Sequence, residues 1–107
     1  MAWKTILAVL ALSASQALAQ GYPAKPLKMI VPYPPAGGTT IVARVLNEKL
    51  APALGGATII VDNKGGANGS LGLRAVAAAR PDGYTLSDTS AQTIVVNPWV
   101  QKGMIDI

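Results

Sequence analysis

Cysteine, histidine and phenylalanine are absent from the 107 residues, and the aromatics that remain are two Trp and three Tyr. Without histidine there is no Ser-His-Asp or Cys-His nucleophile, and no imidazole to act as acid or base. Without cysteine and histidine, zinc fingers, structural zinc sites and iron–sulfur ligation are excluded. No disulfide can offset the small size of the chain. Acids are scarce as well, five Asp+Glu against nine Lys+Arg, for a formal charge of +4. The cations are spread singly, whereas nucleic-acid binders concentrate charge in a stripe interleaved with stacking aromatics. No nucleic-acid partner, metal or cofactor is therefore expected. Asp62, Asp82, Asp88 and Asp106 each fall in a predicted turn or loop, so no carboxylate pair suited to acid–base catalysis stands out.

The first nineteen residues read as an export signal. Lys4 supplies a positive charge, Ile6 to Leu12 form an unbroken apolar core, and Ala17-Leu18-Ala19 before Gln20 is an A-x-A cleavage site. A membrane-spanning helix needs ~20 apolar residues, and Ser13, Ser15 and Gln16 interrupt this run too early. Cleavage after Ala19 is expected, leaving residues 20–107 as a soluble periplasmic product.

The remainder alternates strand, glycine loop and helix. Leu27 to Val31 is an apolar run of strand length, stopped by Pro32. Pro32 to Thr40 is irregular by composition, because prolines remove donors and glycines favour positive φ. From Ile41 the period changes: Val42, Val45, Leu46 and Leu50 form one apolar face, with Thr39 or Thr40 as N-cap. Pro52 and Gly55-Gly56 end this helix. Ala57 to Val61 is a second strand, and Asp62 to Gly69 a second glycine loop. Ser70 is placed to cap a helix from Leu71 to about Ala79, whose small residues suit close packing on a sheet. Arg80-Pro81-Asp82-Gly83 is a turn by composition. Tyr84 to Ser87 starts a third strand, and Asp88 to Thr93 reads as a polar loop. Ile94 to Val96 is ambiguous between strand and helix, and Asn97-Pro98 is expected to break it. The pattern predicts an α/β fold with right-handed crossovers and a parallel sheet.

Both glycine loops follow a strand and precede a helix. In a parallel sheet such loops share the carboxyl edge, where open α/β folds bind ligands. Each helix start offers unpaired N–H groups and a dipole end that suits a carboxylate or phosphate. Neither loop has the G-x-G-x-x-G spacing or the Gly-Lys-Ser/Thr of a nucleotide site. The plain alternative is two ordinary glycine-rich turns.

Val31-Pro32-Tyr33-Pro34-Pro35-Ala36-Gly37-Gly38-Thr39-Thr40, followed by Val42-Ala43-Arg44, resembles the first loop and helix of Bug-type receptors. These are the periplasmic binding proteins of tripartite tricarboxylate transporters. Val61 to Gly69 resembles their second loop, Pro81 to Leu86 a further family segment, and Asn97-Pro98 falls where members carry Asn-Pro. The resemblance implies a two-lobed, Venus-flytrap receptor that passes small carboxylates to a membrane permease and performs no chemistry. It implies a ligand jaw built from Tyr33, Ala36, Gly37, Gly38, Thr39 and Thr40 of the first loop and Ala67, Asn68, Gly69 and Ser70 of the second, with Ser90 beyond the third strand. The ligand would be a dicarboxylate, tricarboxylate, amino acid or aromatic acid. Thr40 stands where members commonly have Asp, Gly65 replaces Pro, Asn68 replaces Gly and Ser70 replaces Asn.

Family members continue into a second lobe and return to complete the first. Residues 20–107 therefore match the first segment of the N-terminal lobe, as expected of a truncated gene, a partial gene model or a fragment. Other readings compete: a small exported α/β domain, an enzyme or binder, holding a phosphorylated or other anionic ligand; a structural or interaction protein whose glycines serve only as turns; and a non-functional truncated fragment.

Overall fold

The computed structural model describes residues 3–4 and 21–101. The predicted cleavage site and Asp106 lie outside the described residues.

Strand β1 (Leu27–Val31) runs up the middle of a three-stranded sheet, and Pro32 ends it. Helix α1 (Gly38–Ala53) follows the first loop, carrying Pro52 inside its last turn, and Gly55 and Gly56 at positive φ finish it. Strand β2 (Ile59–Asn63) pairs parallel to β1, Leu27 opposite Ile59 and Val31 opposite Asn63. The second loop winds through a short turn at Ala67–Gly69 into helix α2 (Ser70–Ala78). Strand β3 (Thr85–Ser87) then pairs parallel to the other side of β1, giving the order β2-β1-β3. A wide π-wound turn, Gln92–Val96, leads directly into the short helix α3 (Asn97–Val100). Among the described residues no helix is long and apolar enough to cross a membrane.

The α/β class and parallel sheet agree with the sequence pattern, and several local expectations are corrected. The second strand begins two residues later than Ala57 and takes in Asp62 and Asn63. Asp62 is thus a strand residue, paired with Lys28 at 3.8 Å and Lys64 at 3.5 Å, and not a turn former. The N-cap of α1 is Gly37 and that of α2 is Gly69, neither with a side-chain capping bond, so Thr39, Thr40 and Ser70 are all inside their helices. Ile94 to Val96 is helical, and Asn97-Pro98 continues the winding because proline is tolerated in a first turn, where its missing N–H costs nothing.

The face of α1 is also different from the one its apolar residues predict. Thr40 and Ala43 are buried, and Leu50 packs against the cluster of Met29, Val31 and Ala43. Ile41, Val42, Val45 and Leu46 are exposed and, with Lys49, line a shallow groove of about 400 Å³. Ala43 decides this rotation, because its small side chain lets the helix approach the sheet closely. On the opposite side, α2 approaches through Gly72, where an added Cβ would lie 2.6 Å from the Cα of Pro32. Ala77 and Ala78, expected to pack on the sheet, are exposed.

Candidate functional site

With the order β2-β1-β3, the chain leaves β1 to one side, toward β2, and then crosses back from β2 over β1 to β3 on the other side. The carboxyl ends of β1 and β3 therefore border a topological switch point, the crevice where open α/β sheets hold ligands. Three loops meet there: 32–37 after β1, 64–69 after β2, and 88–91 after β3.

The first loop is held by a residue the sequence pattern had assigned only to a loop. Asn63 donates its side-chain amide to the carbonyl of Tyr33 at 3.1 Å and to the Thr40 hydroxyl at 2.9 Å. The Thr40 hydroxyl lies 3.5 Å from the Pro34 carbonyl, to which it donates. Thr40 is 1% exposed, so its side chain braces the loop from inside. Ala36 adopts φ 68°, while Gly37 and Gly38 are exposed; a Cβ on Gly38 would meet nothing within 4 Å and one on Gly37 only the Pro34 carbonyl oxygen at 3.6 Å. The first amides of α1, from Gly38, Thr39 and Thr40, precede the first helical bond from Ile41 to Gly37 and meet no capping side chain.

The second loop touches the first. A Cβ on Gly65 would stand 3.1 Å from the Pro34 nitrogen, and the Lys64 amide donates to the Val31 carbonyl at 2.8 Å. Gly66, Ala67, Asn68 and Gly69 all take positive φ. Gly69 is left-handed and Ser70 right-handed, and their amides close the turn on the Gly66 and Ala67 carbonyls. The Ser70 hydroxyl donates back to the Ala67 carbonyl at 2.7 Å. No acidic residue occupies the first turn of α1 or α2, so nothing there opposes a negative ligand.

The third loop joins through hydroxyls. Tyr33 exchanges hydrogen bonds with Ser90 at 2.6 Å, Thr89 at 3.4 Å and Thr93, and receives the Ser90 amide at 3.3 Å. Burial pushes the Tyr33 phenol up, but these bonds outweigh it and leave its pKa below the usual 10.0. Thr93 is buried and helical, not part of a polar loop. Nearby, one carboxylate oxygen of Asp88 is buried without a partner, and burial raises the pKa of this group.

The structure thus brings Tyr33, Thr40, Ala67 to Ser70 and Ser90 to one edge. The side chains of Thr40, Ser70 and Tyr33 are engaged within the fold, as are the Gly69 and Ser70 amides, which donate to the Gly66 and Ala67 carbonyls; the first amides of α1 and the exposed Gly37 and Gly38 are what remain open. Asn63 and Thr93 are residues sequence reasoning missed, and Asn97, noted there only as half of the Asn97-Pro98 motif, bonds Asn68 of the second loop through its buried carboxamide.

The fold and the site together define a class, an open parallel α/β unit with amide-lined helix starts at its switch point. Residues 42–105 match the tripartite tricarboxylate transporter family receptor, TctC. The chain belongs to that family and corresponds to the N-terminal part of its Bug-type members. It is 47% identical over 79 residues to protein BugT of Bordetella pertussis, covering 72% of this chain and 24% of BugT. It is 42% identical over 96 residues to a UPF0065 protein of Bordetella bronchiseptica, covering 90% of this chain and 28% of that one. Among solved structures, the periplasmic binding protein BugD superposes with a TM-score of 0.59 at 48% identity, over 62% of this chain and 22% of BugD. MatC of Rhodopseudomonas palustris, solved with bound malate, gives 0.58 at 38% identity, over 62% and 22%. The chain spans about a quarter of the length of these relatives.

Proposed function

We propose that residues 20–107 form the first segment of the N-terminal lobe of a periplasmic solute-binding receptor, exported by cleavage after Ala19. The segment holds one end of a small carboxylate for delivery to a membrane permease. The observation that carries this reading is the meeting of two helix N-termini, uncapped and free of acids, at the switch-point edge. Backbone amides there suit a carboxylate with little help from side chains. The candidate contacts are the amides of Gly37 to Thr40 and, across from them, the second loop from Ala67 to Ser70 leading into the first amides of α2, with Ser90 at the rim. The bound malate of MatC supports a carboxylate as ligand.

The test is a calorimetric titration and thermal-shift series with malate, citrate, aspartate, an aromatic acid and a nucleotide, since only a specific ligand raises the melting temperature. Stabilisation by one or more carboxylates and none by the nucleotide is the expected result. The reverse pattern moves the protein to the phosphorylated-ligand class. N-terminal sequencing of periplasmic material is expected to begin at Gln20, and a product retaining Met1 would overturn the export reading.

A further inference from the structure

Four successive residues, Gly66 to Gly69, have φ of 127°, 48°, 57° and 92°. Glycine adopts such values freely, but Ala67 and Asn68 carry side chains that disfavour them. Such a run persists only where its surroundings over-determine it. Part of the restraint is local: the Gly69 amide donates to the Gly66 carbonyl at 3.1 Å, and Ser70 donates to Ala67.

The rest comes from a distant part of the chain. Asn97, 1% exposed, donates its Nδ2 to the Asn68 carbonyl at 2.8 Å, and its Oδ1 accepts from the Asn68 Nδ2 at 3.3 Å. Both ends of one buried carboxamide are thus given to a single residue, backbone and side chain together. Thr93, one turn earlier, closes on Gly69, where a Cβ would meet its Cγ2 at 2.7 Å. Asn68 itself is exposed and nothing else among its described hydrogen bonds secures it.

We propose that Asn97 is a positioning residue for the ligand site: its carboxamide latches Asn68 in the left-handed conformation and so aims the N-terminus of α2. The proposal rests on the receptor reading above for what the aimed amides bind. A buried asparagine that merely satisfied its own polarity would contribute to stability and leave the loop amides and the affinity alone. A latch predicts a particular rescue. Glycine at 68 enters the left-handed region without help, so Asn68→Gly should make Asn97 dispensable.

The experiment compares the full chain with Asn97→Ala, the isosteric Asn97→Asp, Asn68→Gly and the double variant Asn68→Gly/Asn97→Ala. Amide hydrogen exchange is read at 67–71 and in β1, and malate is titrated in parallel. Asn97→Asp keeps the acceptor but turns an anionic oxygen toward the Asn68 carbonyl, so it serves if the alanine variant folds poorly. Both Asn97 variants are expected to speed exchange at 67–71 at least tenfold over any change in β1, and to weaken malate binding at least tenfold. The double variant should return to within threefold of Asn68→Gly alone. Unchanged exchange at 67–71, a uniform acceleration that includes β1, or no rescue by glycine would each overturn the latch. If the parent chain does not bind malate, the receptor reading is at fault, and the exchange and rescue at 67–71 still decide the latch.

Discussion

Gly37 and Gly69 sit at equivalent points, each the residue before a helix, yet a side chain would be received differently at the two. At Gly37 the backbone is extended, φ −78° and ψ 165°, and an added Cβ meets only the Pro34 carbonyl oxygen at an ordinary 3.6 Å. At Gly69 the φ of 92° and the contact with Thr93 both oppose it. Gly37→Val is therefore expected to leave the unfolding free energy, read by urea titration, within about 0.5 kcal/mol of the parent while weakening malate binding, because the valine stands in front of the α1 amides. Gly69→Val should lose stability itself, by roughly 1–3 kcal/mol. Equal malate affinity in Gly37→Val and the parent would place the ligand elsewhere.

Asp88 carries a second prediction at this scale. Its folded pKa is raised by burial, so its contribution is most favourable below the ordinary 3.8, where folded and unfolded states are both protonated. That contribution falls away as pH rises through the folded value. Asp88→Asn removes the buried charge and should raise the urea midpoint at pH 7, with the gain shrinking to nothing as the pH drops below 3.8. A gain independent of pH would show that the charge is not its cause.

Helix α1 is the element on which the apolar pattern misleads. Its most hydrophobic side chains, Ile41, Val42, Val45 and Leu46, face outward, and the sheet is met by Thr40, Ala43 and Leu50. Periodicity alone cannot choose between two stripes of one helix when small and polar residues fit the contact and large apolar ones do not. Thr40 is bought into the interior by Asn63, whose amide satisfies its hydroxyl. Ala43 is fully buried against Met29 and Val31. Ala43→Leu should then overpack the contact and cost ~1–3 kcal/mol, whereas Leu46→Gln should change stability by less than about 0.5 kcal/mol. Chemical denaturation of the two variants side by side reads this directly, and the opposite order would restore the apolar stripe as the buried face.

Across the whole molecule, the described residues leave that stripe, together with Ile94, Val95, Val96, Trp99 and Val100, in contact with solvent. The β2 and β3 strands have no outer neighbour among the described residues. Contiguous apolar surface and open strand edges promote association. Residues 20–107 are expected to self-associate, and Val42→Glu combined with Leu46→Lys should shift sedimentation toward the monomer without loss of helicity. Binding should be weak in the same material. A full pocket buries ~70–90% of a small ligand, and half the contacts of a micromolar site leave roughly millimolar affinity. A monodisperse monomer with micromolar malate affinity would make this segment a self-sufficient binder.

What the sequence determined by itself is local and periodic. The strand-length run from Leu27 to Val31, apolar at four of its five positions, the two glycine loops and the change to helical spacing after Thr40 identify a parallel α/β unit with glycine-rich strand-to-helix loops, because strand propensity, turn chemistry and helix period are short-range. Four motifs in order, Val31 to Arg44, Val61 to Gly69, Pro81 to Leu86 and Asn97-Pro98, together pointed to the family. What only the tertiary structure decided depends on partners far along the chain. Asn63 braces a loop 30 residues away, Asn97 grips Asn68 across 29 positions, and Tyr33 reaches Ser90 across 57. Strand order had to be known before the third loop could be seen beside the first, and sheet contact before Ala43 could be seen to displace Leu46. Hydrogen bonds and close packing select among faces that a one-dimensional pattern leaves equivalent, because they depend on distance in space and not along the chain.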